Sequence, residues 1–176
     1  MATPKLELRF APDLIDHWES RYTLRQGDDS EIKEAVDRSL SAGYCNKPDF
    51  VAICRWKSHR IISHCQKNPE DFVQTVTKAA LSSTNERFRI YAPTLLQGVG
   101  WRVSSVLLHF ASPAPYPIID FRALWSLGYN ITENDDYDFS FWWSYADFCR
   151  KAAIKYGVSM RKLDRALWQY SDENQK

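Results

Sequence analysis

Between Leu95 and Leu108 the chain reads Leu-Leu-Gln-Gly-Val-Gly-Trp-Arg-Val-Ser-Ser-Val-Leu-Leu, and this stretch holds the residues best placed by type and spacing to do chemistry. Gly98 and Gly100, either side of Val99 and between two helical patterns, allow a tight turn whose peptide N–H groups point outward where the second helix begins. Outward N–H donors at the positive end of a helix dipole bind phosphate. Arg102, in the first turn of that helix, adds a charge-assisted donor. A second basic group, Arg55, Lys57 and Arg60, surrounds Trp56, a ring suited to stacking on a base. A Gly-x-Gly turn serves structure as often as it serves an anion, so its context decides.

Other constellations carry less. Ser104-Ser105 has no neighbouring His or Asp in a nucleophile arrangement, and small residues for close helix packing explain it. His59, His64 and His109 have no metal-ligand spacing, and His109 sits in an apolar pattern where a core position is expected. Cys45, Cys54, Cys65 and Cys149 lack the spacing of a zinc site or a secreted disulfide framework, so they are expected reduced and buried, with no bound metal. Asp135, Asp136 and Asp138 lack the alternation and glycine of a calcium loop and read as a solvated turn. Of Trp56, Trp101, Trp125, Trp142, Trp143 and Trp168, at least four are expected in the core, with Trp56 kept apart for its basic neighbours.

The net charge of +1 hides an uneven distribution: residues 47–102 carry nine Lys/Arg against four Asp/Glu, while acids outnumber bases on either side. Such an asymmetry suits an anion-binding face. A 176-residue chain with 44% hydrophobic and 14% aromatic residues is long and apolar enough to build a core without staples, which excludes disordered and low-complexity classes. No apolar run approaches a membrane span, and the first residues lack a signal peptide's apolar core, so the expected location is the cytoplasm, with no membrane partner.

The elements that must position these residues read as helices. Ile32, Ala35, Val36 and Leu40 share one face between Ser30 and Leu40, before Gly43. Pro48-Asp49 opens a second helix through Phe50, Ile53 and Cys54, which Lys57-Ser58-His59-Arg60 closes. Asn68-Pro69-Glu70-Asp71 predicts a cap and first turn, followed by Phe72, Val73, Val76 and Ala80. A fourth helix is expected from about Asn85 to Leu96, kinked or broken at Pro93, and a fifth over Trp101–Ala111. The prolines of residues 112–117 enforce an extended connector; Asp120 caps Phe121–Leu127; a long aromatic helix through Phe141, Trp142, Tyr145, Phe148 and Ile154 stops at Gly157; and a last helix runs from Ser159 to about Tyr170. The prediction is one all-α domain over residues 1–176, with a hairpin unit at 86–111 and C-terminal helices at 139–170.

Leu96-x-Gly98-Val99-Gly100, the apolar helix behind it, a proline-containing connector and an aspartate twenty positions after the second glycine resemble the helix-hairpin-helix DNA glycosylase superfamily, which includes endonuclease III and adenine glycosylase. The resemblance implies a glycosylase-like all-α fold whose hairpin, Gly98, Val99 and Gly100, grips the backbone of duplex DNA. It makes Asp120 the catalytic aspartate that assists cleavage of the N-glycosidic bond. It implies no cofactor beyond a monovalent cation on the hairpin's backbone carbonyls. Close resemblance spans residues 93–128, and its departures are informative. Gln97 replaces the usual proline, Phe121 follows Asp120 where many members have Thr-His, and Arg102 occupies the place of the Schiff-base lysine of bifunctional members. An arginine stays protonated and is no amine nucleophile, so lyase chemistry is disfavoured. Only Cys149 lies beyond Asp120, so the family's four-cysteine iron–sulfur cluster is not expected. Room for about one helix between Arg60 and the hairpin implies a reduced base pocket. The expected function is DNA binding with monofunctional base excision. The alternatives are a non-enzymatic DNA-binding or protein-interaction domain on the same scaffold, its protein partner unidentified, and a small-anion or nucleotide site at the hairpin.

Overall fold

A computed structural model describes residues 5–22, 29–130 and 137–175. All regular structure among them is helical: α1 (Ile15–Ser20), α2 (Asp29–Ala42), α3 (Lys47–Lys57), α4 (Ile62–Cys65), α5 (Glu70–Ser82), α6 (Glu86–Tyr91), α7 (Trp101–Ala111), α8 (Phe121–Ser126), α9 (Phe139–Tyr156) and α10 (Met160–Asn174), with 3₁₀ turns at Pro12–Leu14, His59–Ile61 and Ala92–Leu95. The helices gather into two compact units, one of Leu24–Pro115 and one of Met1–Thr23 with Tyr116–Lys176. No helix among the described residues is long and apolar enough to cross a membrane.

In the Leu24–Pro115 unit, α3 packs on α7 and α5, and Phe50, Ile53 and Cys54 of α3, Val106 and Leu108 of α7, and Val73, Val76 and Ala80 of α5 are all buried. Asn46 caps α3 by accepting from the Asp49 N–H at 2.8 Å, and buried Asp49 pairs with the Arg38 guanidinium of α2 at 2.7 Å. The inward face of α2 is Ile32, Ala35 and Ser39 rather than Leu40, which is exposed. Ser39 tolerates burial because its hydroxyl donates to the Ala35 carbonyl at 2.7 Å. α3 stops at Lys57, earlier than expected: Ser58 is extended, and the basic segment continues through the 59–61 turn into α4, which the sequence pattern had not indicated. The break near Pro93 is present as the 3₁₀ turn between α6 and the Gly98–Gly100 segment.

The other unit is built on α10, which packs on α1, α8 and α9. Phe141, Trp142 and Tyr145 of α9 form its aromatic centre, whereas Ile154 of the same helix is exposed. Asp138 caps α9 through the Phe141 N–H at 2.7 Å, while Asp135 and Asp136 lie outside the described residues. α10 runs to Asn174, four residues past the expected Tyr170. The segment before α1 is docked by Glu7 and Arg9 N–H groups on the carbonyls of Leu127 and Ser126 at 3.0 and 2.9 Å.

All four thiols are buried and free. Burial pushes Cys45 up to about 11 and Cys149 further; Cys54 rises by burial and by donating to Cys65, whose own value that hydrogen bond lowers. Thiolate is the reacting species, and no thiol is on the surface. The native protein is therefore expected to react with a disulfide reagent at pH 8 at least tenfold more slowly than the urea-unfolded chain, a ratio absorbance reads directly; equal rates would contradict the packing.

Candidate nucleic-acid interface

The turn between the 92–95 3₁₀ helix and α7 is held from below. Buried Asn68, predicted to cap the following helix, instead clasps the turn. Its Oδ1 accepts from the Gln97 N–H at 2.8 Å, and its Nδ2 donates to the Gln97 and Cys65 carbonyls at 3.0 and 2.9 Å. The N-cap of α5 passes to Pro69, which makes no side-chain cap. A tertiary demand for a short amide at Gln97 has won over local capping. Replacing Asn68 by Ala removes the side-chain partners of the part-buried Gln97 peptide groups and of the buried Cys65 carbonyl, so urea unfolding is expected to show a loss of about 1–3 kcal/mol.

Within the turn, the Val99 N–H closes on the Leu96 carbonyl at 3.1 Å, and Leu96 and Val99 are buried. Ser104 joins the flanking helices by donating to the Ile90 carbonyl of α6 at 2.7 Å, a firmer role than the small-residue packing expected for it. The two glycines differ. Gly98 has φ +86°, and a Cβ there would lie 2.9 Å from Cys65 Sγ and 3.2 Å from the Cys65 nitrogen, so fold alone demands glycine. Gly100 is exposed with φ −98° and ψ −176°, ordinary extended backbone, and a Cβ there meets nothing within 4 Å. It is the N-cap of α7 without supplying a cap, and the amides of Gly98 and Gly100 make no hydrogen bond among the described residues. The eleven-residue α7 thus begins at Gly100 without a side-chain cap.

The basic stretch reaches this turn through chain continuity, since α4 ends at Cys65 beneath Gly98. Arg55 and Arg60 are exposed and Lys57 is half-buried; Arg102 is half-buried at the start of α7. Arg55 lines an open groove of about 430 Å³ with Lys47, Val51, Gln66 and Glu70. Trp56 does not join them. At 6% exposure its ring packs edge-on against Phe110 at 4.9 Å, in the core. Its position three residues after Ile53 places it on the buried face of α3, a phase that its charged neighbours obscured. Trp142 and Trp168 are also buried, while Trp101, Trp125 and Trp143 are half-buried, so three of those six named tryptophans are core where at least four were expected. His109 is half-buried beside Phe110.

Asp120 belongs to the other unit. It is 7% exposed and caps α8, its Oδ1 accepting from the Arg122 N–H at 3.0 Å. Two side chains that sequence reasoning missed pin the extended segment leading to it. Tyr145 donates its hydroxyl to the Ile118 carbonyl at 2.8 Å, and Asp164 accepts from the Ile118 N–H at 3.3 Å while paired with Arg161 at 2.6 Å. Burial, together with the nearby Cys149 and the carboxylates of Asp164 and Asp120, raises the Tyr145 phenol well above its ordinary value, so it stays a donor. The Cys65 and Tyr145 partners are separated from their targets by tens of residues, and no local pattern announces them. Among the described residues, no three His, Cys, Asp or Glu side chains are gathered to hold a metal. No protein-family model, curated protein or solved structure matches the chain.

Proposed function

We propose that the chain is a helix-hairpin-helix protein that binds duplex DNA through the Gly98–Gly100 turn, Arg102 and the exposed cations Arg55 and Arg60, and that Asp120 serves hydrolysis of an N-glycosidic bond. The reading includes no metal or organic cofactor; a monovalent cation on the turn's carbonyls is compatible with it. Gly100 carries the reading. A glycine that neither backbone conformation nor packing requires, at the mouth of α7, leaves room for a phosphate oxygen to approach peptide N–H groups. The excess of bases over 47–102 favours a polyanion. Phosphate contacts of this kind are sequence-independent, so a salt slope of a few ion equivalents is expected.

Gly100→Asp is the decisive variant because it moves stability and binding in opposite directions. Extended backbone with open space accepts an aspartate that caps α7, so urea stability should stay level or rise by about 0.5–1 kcal/mol. The new carboxylate occupies the phosphate's place, so affinity for any duplex should fall by about tenfold or more. Unchanged affinity in the folded variant removes the turn from the interface. A non-enzymatic DNA-binding domain is the second reading, favoured by the burial of Asp120 and by its engagement as a cap.

A further inference from the structure

α3 is apolar on two sides. Phe50, Ile53 and Cys54 are fully buried in the core, while Pro48, Val51, Ala52 and Arg55 recur at i, i+3, i+4 and i+7 along another side. One apolar stripe seats a helix in its fold, and a second is spare for another contact. Here the second stripe lines the open groove of about 430 Å³, together with Lys47, Gln66 and Glu70. That volume and an apolar lining with a few polar groups are the attributes of small-molecule sites. Charge identifies the occupant. Elsewhere on the surface Arg21, Lys33, Arg38, Lys151 and Lys162 each hold a carboxylate at 2.6–2.8 Å. The side chains of Arg55 and Lys47 hold none among the described residues, although Glu70 lines the same groove. Glu70 is already engaged, its carboxylate accepting from the Lys47 peptide N–H at 3.2 Å and from the Gln74 amide at 2.6 Å. Inorganic phosphate would leave the apolar stripe unused, and a neutral apolar molecule would leave both cations without a counter-charge.

We infer that the groove along α3 is a binding site for a small organic anion with an apolar body, a carboxylate carried on an aromatic ring or a short alkyl chain. Arg55 takes the carboxylate through its fork of N–H donors, and Lys47 adds positive field. The body lies on Val51 and Ala52. The site shares Arg55 with the duplex contact proposed above but does not rest on that reading.

The test titrates the full chain with 4-phenylbutyrate at low salt and reads backbone amide NMR shifts; no DNA enters it, so its outcome is independent of the duplex reading. Saturable shifts at Val51, Ala52 and Gln66 are expected, with a Kd of about 1 mM, ordinary for so small a ligand. Acetate, which lacks the body, and 4-phenylbutanol, which lacks the charge, should each bind about tenfold more weakly. Arg55→Gln should weaken 4-phenylbutyrate by about fivefold or more, because the fork and its charge are lost. Ala52→Glu places a carboxylate beside the probe on a half-buried helical position that suits glutamate, so it should abolish binding with urea unfolding near wild type. The absence of a saturable shift up to about 20 mM overturns the site. So do shifts that survive both Arg55→Gln and Ala52→Glu undiminished, since the probe then sits elsewhere. Inorganic phosphate or acetate binding as tightly as 4-phenylbutyrate reduces the groove to a bare cationic patch and overturns it too, and 4-phenylbutanol binding as tightly does the same by leaving the cations no role.

Discussion

Gly98→Ala is expected to lose about 3 kcal/mol or more of stability in urea unfolding, whereas Gly100→Ala, two residues away, should lose less than about 1 kcal/mol. At Gly98 two costs coincide. An L-residue at φ +86° is in a left-handed conformation worth about 1–2 kcal/mol against it. Its Cβ also enters packed space, 2.9 Å from Cys65 Sγ and 3.2 Å from both the Cys65 nitrogen and His64 Cβ. A sulfur can rotate aside only by displacing other buried groups, and a backbone nitrogen moves only with its helix, so overpacking adds about 1–3 kcal/mol. At Gly100 neither term exists, and the remaining penalty is the poorer N-cap preference of alanine. Gly98→Ala within 1 kcal/mol of wild type would show that the turn does not rest on Cys65. The contrast has a functional corollary. The first glycine of the pair is explained by folding, so a binding defect caused by changing it says nothing about contacts, and the informative substitutions are at Gly100.

That asymmetry was not legible in the Gly-x-Gly pattern, which treats the two positions alike. The crowding at Gly98 is set by α4, some thirty residues upstream, and α4 does not reach Gly100. What could be read locally was read well. Asp120 and Ser159 are short polar residues ahead of apolar periodic runs, and each accepts the N-cap hydrogen bond of its helix; Asp138 does the same for α9, although its acidic neighbours make it read as part of a solvated turn. Asn68 carries the same signal and is not a cap, because its amide is claimed by Gln97 across a gap of twenty-nine residues. Propensity names the candidates for a cap, and tertiary hydrogen bonding decides among them. Trp56 failed differently. Its neighbours Arg55 and Lys57 suggested a nucleic-acid face, yet one residue turns a helix by 100°, enough to carry a tryptophan from solvent to core between two cations. Leu95 is the converse, an apolar residue in an apolar run that the structure leaves outside. Periodicity expects such a side chain to be buried, so exposure is visible only once the helix has been placed.

If the proposed glycosylase reading holds, Asp120→Asn should leave folding and DNA affinity near wild type and lower base release by about two orders of magnitude or more. The amide retains an oxygen that accepts from the Arg122 N–H, so the cap on α8 survives, and the isosteric side chain fits the same buried site. What disappears is the negative charge that would stabilise an oxocarbenium-like sugar and accept a proton from the attacking water, contributions of about 10²-fold or more each. Asp120→Ala completes the comparison: it removes charge and cap together, so it should lose the same activity and about 1 kcal/mol of stability besides. An effect that follows stability would appear in the alanine variant alone, and an effect of charge would appear in both. Base release should be measured on duplexes carrying alkylated, oxidised, deaminated and mismatched bases, with alkali added to cleave abasic sites. The alkali step is required because Arg102, in the first turn of α7, stays protonated and cannot form the imine that leads to strand cleavage. Release by wild type and the asparagine variant at equal rates would confine Asp120 to its cap. Absence of release from wild type across the panel, with duplex binding intact and sensitive to Gly100→Asp, would establish the non-enzymatic reading. The hairpin would then be a DNA anchor, and the carboxylate would remain at the head of α8 for the reason the structure already supplies, an N–H that needs an acceptor in a buried place.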